Sequence, residues 1–448
     1  MATHAVSEPE VASVALLPPG PRLSMPVQTV LWEARFAQFN LWCWRRFGDY
    51  FTVHLPFSGQ MVVVADPDAI RVLFADRGER THAGEANAVL EPVLGANSVL
   101  LLDGPEHMRQ RRLMHPPFHG ERMNRYREII AGITADEVSR WPVGREFSLL
   151  PSTQSLTLRV ILRAVFGLEE GEVLDSIRTK IKRVLDEGKS RFAMVPQFQR
   201  DVGPFKFWTA FVRKREALDR DLFAEMERRR AAGNLEERED ILSLLMLARD
   251  EDGRPMSDVE LRDELMTLLL AGHETTASSL AWFFDLVLHN PGVLERLRGD
   301  ALRGDTAYLD AAITESMRVR PVVPLIARRL LEPVELGGWQ LPAGAIIAPN
   351  IFLIHRRPEI YPEPLRFRPD RFMDGRVDSF SWLPFGGGIR RCVGAAFATF
   401  EMQTVIPEVL RRVRLEPASP KPERSRRRAV TLIAACGTRL LVRERLAA

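Results

Sequence analysis

The chain has 448 residues, of which 46% are hydrophobic, 27% charged and 8% aromatic. This composition excludes a largely disordered chain, because the apolar content is ordinary and 62 Lys and Arg balance 59 Asp and Glu. A net charge of +3 gives no argument for nucleic-acid binding. The three cysteines, Cys43, Cys392 and Cys436, are few and far apart, so we expect no disulfide framework and a reducing compartment.

The N-terminus does not have the pattern of a secretory signal. The first ten residues carry two glutamates but no Lys or Arg, and the apolar run Val11–Leu17 ends at a proline. No stretch approaches the roughly 18 apolar residues of a membrane span, and no Pro/Ser-rich linker divides the chain. We therefore expect a soluble, cytoplasmic protein with an N-terminal extension over residues 1–25 and a single domain over residues 26–448.

The first predicted elements are a β-hairpin and a helix. Phe51–Leu55 and Met61–Ala65 are β-rich runs separated by a turn cluster, and Asp66-Pro67 supplies a cap and a first-turn proline for a following helix. From about residue 120 to 320 the apolar positions recur at helical spacing. From 321 to 375 proline and glycine become frequent, and short apolar runs replace the helical pattern.

The last part of the chain returns to helix after Cys392 and ends in short strands near residues 430–433 and 440–442. The charged run Lys421–Arg428 is interpreted as a solvated loop, with an isolated nucleic-acid patch as the alternative. The predicted fold class is therefore mainly α with a small β-rich part.

Cys392 has the surroundings of a reactive or ligating thiol. The consecutive glycines 386–388 precede it and allow backbone conformations that other residues avoid. Helical spacing resumes after it, which places the thiol near a helix N-terminus, where the helix dipole favours a thiolate. Such a thiolate is a metal ligand or a nucleophile, and the alternative is a buried structural cysteine beside a tight turn.

The pattern Phe385-x-x-Gly388-x-Arg390-x-Cys392-x-Gly394 resembles the haem-binding loop of the cytochrome P-450 superfamily at all five defined positions. The resemblance implies the cytochrome P-450 fold, a helical prism around a buried haem b (heme b, iron protoporphyrin IX). It also implies that the Cys392 thiolate is the metal ligand, a ligation that favours O–O cleavage.

The two haem propionates need cationic or hydrogen-bonding partners. His107-x-x-x-Arg111 places two such groups on one helical face, and Arg328 lies where the family commonly has a propionate-binding arginine, although Arg329 beside it could serve instead. Without the resemblance, the basic residues near position 110 would indicate a solvated face. The cofactor-binding residues that the resemblance implies are His107, Arg111, Arg328, Phe385, Gly386, Arg390, Cys392 and Gly394.

A long helix is predicted from Asp258 to about His289, with a capping box formed by Ser257 and Glu260. At about 1.5 Å per residue it is roughly 45–50 Å long, enough to cross the domain. Residues 271–276 interrupt its apolar run with a glycine, a carboxylate and two threonines. The glycine weakens the helix, and a threonine hydroxyl can bond the carbonyl four residues earlier, so a notch is expected there.

Ala271-Gly272-x-Glu274-Thr275 also resembles the family's oxygen-binding pattern. The resemblance implies catalytic roles for all four residues. Ala271 and Gly272 would form the notch, Thr275 would donate a hydrogen bond to iron-bound oxygen, and Glu274 would help relay protons. A bent helix with internally bonded hydroxyls is the alternative.

Glu315-x-x-Arg318 places two opposite charges on one helix face, where they can pair. The later run Phe367–Phe372 resembles the family's meander motif, whose arginine, here Arg371, joins that pair. Because buried charges need full pairing, this triad is interpreted as a structural brace behind the haem loop.

The resemblance, to the bacterial soluble members of the family, implies an oxidoreductase, a haem-thiolate monooxygenase that inserts one oxygen atom from O₂ into a small lipophilic substrate, for example by hydroxylation. Because the chain has no nucleotide-binding loop, the electrons would come from a separate ferredoxin or flavodoxin with its reductase. Arg109, Arg112 and Arg391 could form a basic docking face for that donor. We expect a monomer with no nucleic-acid partner. A peroxide-driven peroxygenase and a non-catalytic haem-binding protein are the alternatives.

The family's pocket-facing segments correspond to residues 81–100, 192–198, 266–270, 322–325 and 430–433. Most of these are aliphatic, which favours a terpenoid, steroid or fatty acid as substrate. Because any protein core is aliphatic, this indication is weak.

Overall fold

The computed structural model describes residues 17–446, except 57, 119–121, 168–170, 189–200, 202–205 and 375–377. The expected pocket segment 192–198 therefore lies outside the described residues. Helices dominate the described part of the chain. They are α1 (Met25–Ala34), α2 (Phe36–Phe47), α3 (Pro67–Ala75), α4 (Glu91–Leu94), α5 (Gly104–Met114), α6 (Arg122–Ser139), α7 (Leu149–Phe166), α8 (Glu172–Gly188), α9 (Phe207–Ala232), α10 (Ile241–Leu247), α11 (Asp258–Leu288), α12 (Pro291–Arg303), α13 (Ala307–Val319), α14 (Ile351–Ile354) and α15 (Ala395–Arg412).

The strands form small sheets, so the mainly α prediction with a small β-rich part is confirmed. They are β1 (Tyr50–Leu55), β2 (Gly59–Val64), β3 (Thr81–His82), β4 (Glu146–Ser148), β5 (Arg328–Leu330), β6 (Val334–Leu336), β7 (Trp339–Leu341), β8 (Ile346–Pro349), β9 (Val413–Pro417), β10 (Ser425–Arg428), β11 (Thr431–Ala434) and β12 (Arg439–Arg445). The largest sheet has the order β1-β2-β8-β5-β3, with β2 and β8 parallel, and the others are β4-β12-β9, β6-β7 and β10-β11.

The predicted hairpin and helix near the N-terminus are confirmed. Strands β1 and β2 pair antiparallel, and the Asp66 carboxylate caps α3 by accepting the Asp68 N–H at 3.0 Å. The chain before α1 also contacts this sheet, because Thr52 donates its hydroxyl to the Pro18 carbonyl at 2.7 Å and its N–H to Pro19 at 3.2 Å.

Helix α11 is the central element, and it has the predicted capping box of Ser257 and Glu260. It packs against α7, α13 and α15 and is buried on most of its circumference, as its apolar sequence requires. Within the described ranges, no helix combines the length and the apolar character needed to cross a membrane.

The prediction that Lys421–Arg428 is a solvated loop is wrong for its second half, which forms strand β10. Arg427 lies over the ring of Trp32 at 5.5 Å and pairs with Glu33 at 2.8 Å. Alternation of side chains along a strand explains the difference, because it turns Arg427 inward from a run that looks uniformly exposed in sequence.

Candidate functional site

The loop before Cys392 requires its glycines for conformation and for space. Gly386 and Gly388 have φ of +66° and +64°, a region that favours glycine. A Cβ atom on Gly387 would lie 2.2 Å from the ring of Phe74, and one on Gly388 would lie 2.2 Å from the Phe74 carbonyl oxygen. The loop can therefore pack directly on the end of α3.

Cys392 follows this loop, and its N–H donates to the Phe385 carbonyl at 2.9 Å. Helix α15 begins three residues later, with Gly394 as its cap, so the predicted position near a helix N-terminus is confirmed. Burial raises the pKa of the Cys392 thiol, while the Gly394 N–H and the guanidinium groups of Arg111 and Arg391 lower it. Cys392 is nevertheless exposed. A thiol that is enclosed and accessible at once lines an interior space.

The four predicted propionate partners lie close enough to influence one another's charge. His107 is buried, and burial followed by the charges of Arg390, Arg111 and Arg328 lowers its pKa to about 3. Burial also lowers the pKa of Arg390 to about 10, with Arg328 and Arg111 acting in the same direction. The structure thus brings these side chains, distant in sequence, around the Cys392 side of the interior.

Of the two adjacent arginines on β5, Arg328 is the inward one. Its side chain is 2% exposed and lies over the Phe74 ring at 5.6 Å. Arg329 points outward, where it pairs with Glu85 at 3.2 Å. The alternative assignment to Arg329 therefore has no support from the geometry.

Asp103 is a residue of this cluster that the sequence analysis missed. Its carboxylate binds the Arg390 guanidinium and accepts the backbone N–H groups of residues 83–85 at 2.9–3.1 Å. The Asp-Gly-Pro sequence at the start of α5 is a helix-start signal, but it gives no indication that the carboxylate would meet Arg390.

The stretch 271–276 of α11, where the notch is expected, is helical throughout. Gly272 instead permits close packing, since a Cβ there would lie 3.3 Å from Ile161 Cδ1 of α7. Thr275 donates its hydroxyl to the Ala271 carbonyl at 2.6 Å, as predicted for this residue type. Ala271 is exposed in the middle of a buried helix, which places an interior space against this face of α11.

The comparisons with known proteins agree with this geometry. The sequence profile of the family described as Cytochrome P450 matches residues 18–435. The chain belongs to the cytochrome P450 family. It is 42% identical over 433 residues to cytochrome P450 135B1 of Mycobacterium tuberculosis, covering 95% of this chain and 91% of that protein. It is also 40% identical over 436 residues to cytochrome P450 138 of the same organism, covering 96% and 97%.

Solved structures share the cytochrome P450 fold with this chain. The structure titled "Retinoic acid bound cyanobacterial CYP120A1" superposes with a TM-score of 0.82 at 23% identity, covering 97% of this chain and 100% of that one. The heme domain of cytochrome P450DA superposes with a TM-score of 0.81 at 20% identity, covering 96% and 98%. Because the chain belongs to the cytochrome P450 family, the protein is an oxidoreductase, a cytochrome P450 monooxygenase, and its cofactor is haem b.

The residues around Cys392 fit that cofactor. Nδ1 of His107 and Nε of Arg328 are buried without a hydrogen-bond partner among the described residues, a costly arrangement unless a ligand completes it. Three guanidinium groups, of Arg111, Arg328 and Arg390, converge there while Asp103 supplies one carboxylate. Two propionates would bind these cations, and Cys392 would bind the iron.

The predicted triad behind the haem loop is present. Arg318 donates to both carboxylate oxygens of Glu315 at 2.6 and 2.9 Å, and Arg371 adds a third bond at 3.0 Å. His355, which no sequence signal indicated, extends this network. Its Nε2 accepts the Leu383 N–H at 2.9 Å, and its Nδ1 lies 3.1 Å from the Arg318 carbonyl.

The pKa of His355 lies well below its usual range because of burial and the charges of Arg318 and Arg356. A neutral ring that accepts at Nε2 must carry its proton at Nδ1, and this N–H then donates to the Arg318 carbonyl oxygen. The triad therefore supports the start of the haem loop through one uncharged imidazole.

Another missed feature is a polar contact between α11 and the expected pocket segment. The bonds join Arg262 to Leu94, Asp263 to Asn97, Glu264 to Val99 and Thr267 to Ser98. Glu264 is fully buried, and its Oε2 has no partner within the described residues. Burial, together with the nearby charges of Asp263 and Glu260, raises the pKa of Glu264 well above its usual range.

The structure corrects one member of the predicted docking face. Arg109 binds Asp250 at 2.7 Å and Glu260 at 2.6 Å, so its charge is neutralised and it joins α5 to the start of α11. Arg112 pairs with the exposed Glu251 at 2.5 Å, and Arg391 is exposed. Arg109 therefore cannot serve a partner without losing two internal ion pairs.

Proposed function

We propose that this cytochrome P450 inserts one oxygen atom from O₂ into a small lipophilic substrate, with electrons from a separate ferredoxin or flavodoxin and its reductase. The observation that carries the proposal is the adjacent acid and alcohol, Glu274 and Thr275, one turn of α11 after Ala271, which is exposed to the interior. Reduction of dioxygen consumes protons, and the chain supplies both a carboxyl group and a hydroxyl group beside this interior.

Haem b, when bound to the Cys392 thiolate, supplies the activation of dioxygen and the transfer of its oxygen atom. We assign propionate binding to His107, Arg111, Arg328 and Arg390. Burial and the neighbouring arginines lower the pKa of His107 to about 3, so an incoming propionate would meet a neutral ring that can donate.

The hydroxyl of Thr275 would turn from the Ala271 carbonyl, where it donates in this structure, to dioxygen. Glu274 would deliver protons to the same place. Gly272 would maintain the spacing to α7 that fixes both residues relative to the interior.

The glycine loop would fix the sulfur. Phe385 accepts the Cys392 N–H, Gly386 adopts the positive φ that starts the turn, and Gly394 donates toward the sulfur. These contacts keep the thiolate hydrogen-bonded while it faces the interior.

We also propose that residues 26–448 form the single catalytic domain, with residues 1–25 as an extension, and that the enzyme acts as a monomer. The electron donor would approach near Arg391 and Arg112, without Arg109. Charge reversal at Arg391 and Arg112 together should slow reduction and weaken its salt dependence. Unchanged reduction kinetics would remove this face from consideration.

The function is tested in two steps. Reduced enzyme under carbon monoxide should give the red-shifted Soret band of thiolate ligation, and Cys392→Ala should abolish it. A screen of terpenoids, steroids and fatty acids, following the Soret shift as water leaves the iron, should then identify the substrate class.

The peroxygenase alternative predicts product with hydrogen peroxide alone, whereas the proposed function predicts product only with the electron donor, reductase and O₂. Thr275→Ala should lower the product formed per NADPH consumed several-fold and release peroxide instead. An enzyme that makes no product under either condition, although it binds haem, would favour a binding protein.

A further inference from the structure

Asp103 connects Arg390 with one of the expected pocket segments. Its Oδ1 accepts the N–H groups of Ala83 and Gly84 at 2.9 and 3.0 Å, and its Oδ2 accepts the Glu85 N–H at 3.1 Å. The Arg390 guanidinium donates to the same Oδ1. Both side chains of this ion pair are largely buried, with 13% of Asp103 and 12% of Arg390 exposed. One carboxylate therefore holds three consecutive backbone N–H groups and one arginine.

Asp103 makes these contacts instead of capping its own helix. It is the residue directly before α5, a position where an aspartate side chain usually accepts a backbone N–H of the first helical turn. Among the described residues its side chain makes no such bond, although its carbonyl accepts the His107 N–H at 3.3 Å. The carboxylate is thus committed to partners outside α5.

Gly84 is required for space and not for its backbone conformation. Its φ of −60° and ψ of −47° are ordinary helical values that any residue adopts. A Cβ atom there would lie 2.0 Å from the Leu101 carbonyl oxygen and 2.6 Å from Asp103 Oδ2. Residues 83–85 therefore pack directly on residues 101–103, and a side chain at position 84 would push the two stretches apart.

Arg390 retains donors for a cofactor while it binds Asp103. A guanidinium group has five N–H donors. Nη1 donates to the Val99 carbonyl at 3.1 Å, and Nη2 donates to the Leu102 carbonyl and to Asp103. Within the described residues, the Nε–H and the second N–H of Nη1 make no bond. Binding of a propionate to Arg390 is therefore compatible with its ion pair to Asp103, which fixes the direction of the guanidinium.

We infer that Asp103 is a positioning residue that couples Arg390 to the pocket segment 83–85. When a propionate holds Arg390, the arginine holds Asp103, and the carboxylate keeps the three N–H groups bonded. The coupling acts equally in the other direction, because linkage between two binding events is reciprocal. A substrate that packs on this segment and keeps it closed would strengthen haem binding. The inference rests on the proposed assignment of Arg390 to the propionates.

The first test measures amide hydrogen exchange of residues 83–85 in the holoenzyme. Asp103→Asn removes the shared carboxylate, and Arg390→Gln removes the guanidinium. Arg391→Gln is the control, since this exposed neighbour matches the charge change without the ion pair to Asp103. Exchange in α12 is followed in every variant and should stay unchanged if the fold is kept.

Asp103→Asn should speed exchange at residues 83–85 about 10- to 100-fold, the range for bonds to a charged acceptor. Arg390→Gln should speed it about 2-fold or more, as expected for residues coupled through a shared partner. The double variant should exchange no faster than Asp103→Asn alone, and Arg391→Gln should behave as wild type. Unchanged exchange in Arg390→Gln, or additive effects in the double variant, would overturn the inference.

The reciprocal test changes the segment and measures the cofactor. Gly84→Ala should speed haem transfer to apomyoglobin about 2- to 10-fold, although position 84 is not among the residues assigned to the propionates. In an Asp103→Asn background the same change should have no further effect. Gly132→Ala in α6 is the control, because a Cβ atom there meets nothing within 4 Å. Equal haem transfer from Gly84→Ala and wild type would overturn the coupling.

A change in the cofactor alone separates coupling from a merely structural role of Asp103. Wild-type protein loaded with haem dimethyl ester, whose propionates carry no charge, should exchange faster at residues 83–85 than the same protein loaded with haem b. The difference should vanish in Asp103→Asn, and equal exchange with both cofactors would overturn the inference. The reduced carbon monoxide spectrum verifies thiolate ligation in each preparation. None of these measurements uses an electron donor or a substrate, so their results stand even if the proposed function fails.

Discussion

Replacement of Arg328 by leucine should strengthen the fold of the apoprotein and weaken its hold on haem. The guanidinium is 2% exposed and its Nε has no hydrogen-bond partner in the described part of the chain. Its compensation is the Phe74 ring at 5.6 Å and the charges of Asp76 and Asp103. A buried cation with such incomplete pairing does not stabilise the fold of the apoprotein. We therefore attribute its presence to binding of the haem propionates.

The magnitude follows from two opposing contributions. Exchanging buried ionic groups for apolar ones of similar volume commonly stabilises a protein by about 1–4 kcal/mol. Loss of the contact with Phe74 offsets about 0.5–2 kcal/mol of this gain, and the middle values of the two ranges leave a net gain of about 1 kcal/mol. Loss of one charge-assisted bond to a propionate costs about 1.5–3 kcal/mol of haem binding, and this corresponds to about 10- to 150-fold in affinity.

The assay has two parts, urea unfolding of apoprotein and haem titration followed at the Soret band. Arg329→Leu is the matched control, since this neighbour lies on the same strand but pairs with Glu85 at the surface, and it should change neither quantity by more than a small amount. An apoprotein that Arg328→Leu destabilises, or a haem affinity that it leaves unchanged, would refute the assignment of Arg328 to the propionates.

Three further predictions concern residues around the same interior. Glu264→Gln should stabilise the protein increasingly as pH rises above about 4.5, because the raised pKa of Glu264 keeps its carboxyl group neutral in the folded state while it ionises in the unfolded state. The amide of the variant can still accept the Val99 N–H. Equal pH profiles of the two proteins in urea unfolding would contradict this. His107 contributes stability that is present above about pH 6.5 and is lost as pH falls toward its folded pKa of about 3. In His107→Gln the unfolding temperature should therefore fall less steeply between pH 6.5 and 4 than in the wild type. An equally steep fall would argue against a buried neutral ring. Gly388→Ala should cost about 1–3 kcal/mol from backbone strain alone and more from contact with the Phe74 carbonyl, measured as lost haem content after purification; full haem content would show that the loop relaxes.

Local sequence signals predicted the elements well. These signals act within a few residues, so their effect can be predicted without knowledge of the fold. They are the capping box at Ser257 and Glu260, the cap at Asp66 and the glycines before Cys392. The pairing of Glu315 with Arg318 belongs to the same class, since both residues lie on one helix face.

The missed residues depend on contacts between elements that the sequence keeps far apart. Asp103 meets Arg390 across 287 positions, and Gln154 meets Glu274 across 120. Asp, Gln and His are common surface residues, and nothing in their neighbours distinguishes a buried partner from a solvated one. The loop expected over Lys421–Arg428 was wrong for the same reason, because the Trp32 and Glu33 side chains that receive Arg427 belong to α1.

The backbone N–H and carbonyl groups of Val99 connect α11 with the loop before Cys392. Its N–H donates to Glu264 at 2.9 Å, and its carbonyl accepts from Arg390 at 3.1 Å. Inserting or deleting one residue between Gly95 and Asp103 would move the Val99 N–H and carbonyl groups away from both partners at once. The length of that segment is thus under tighter constraint than its composition. Grafting a longer segment here to accept bulkier compounds would require new partners for the buried Glu264 carboxyl group and the partly buried Arg390 guanidinium.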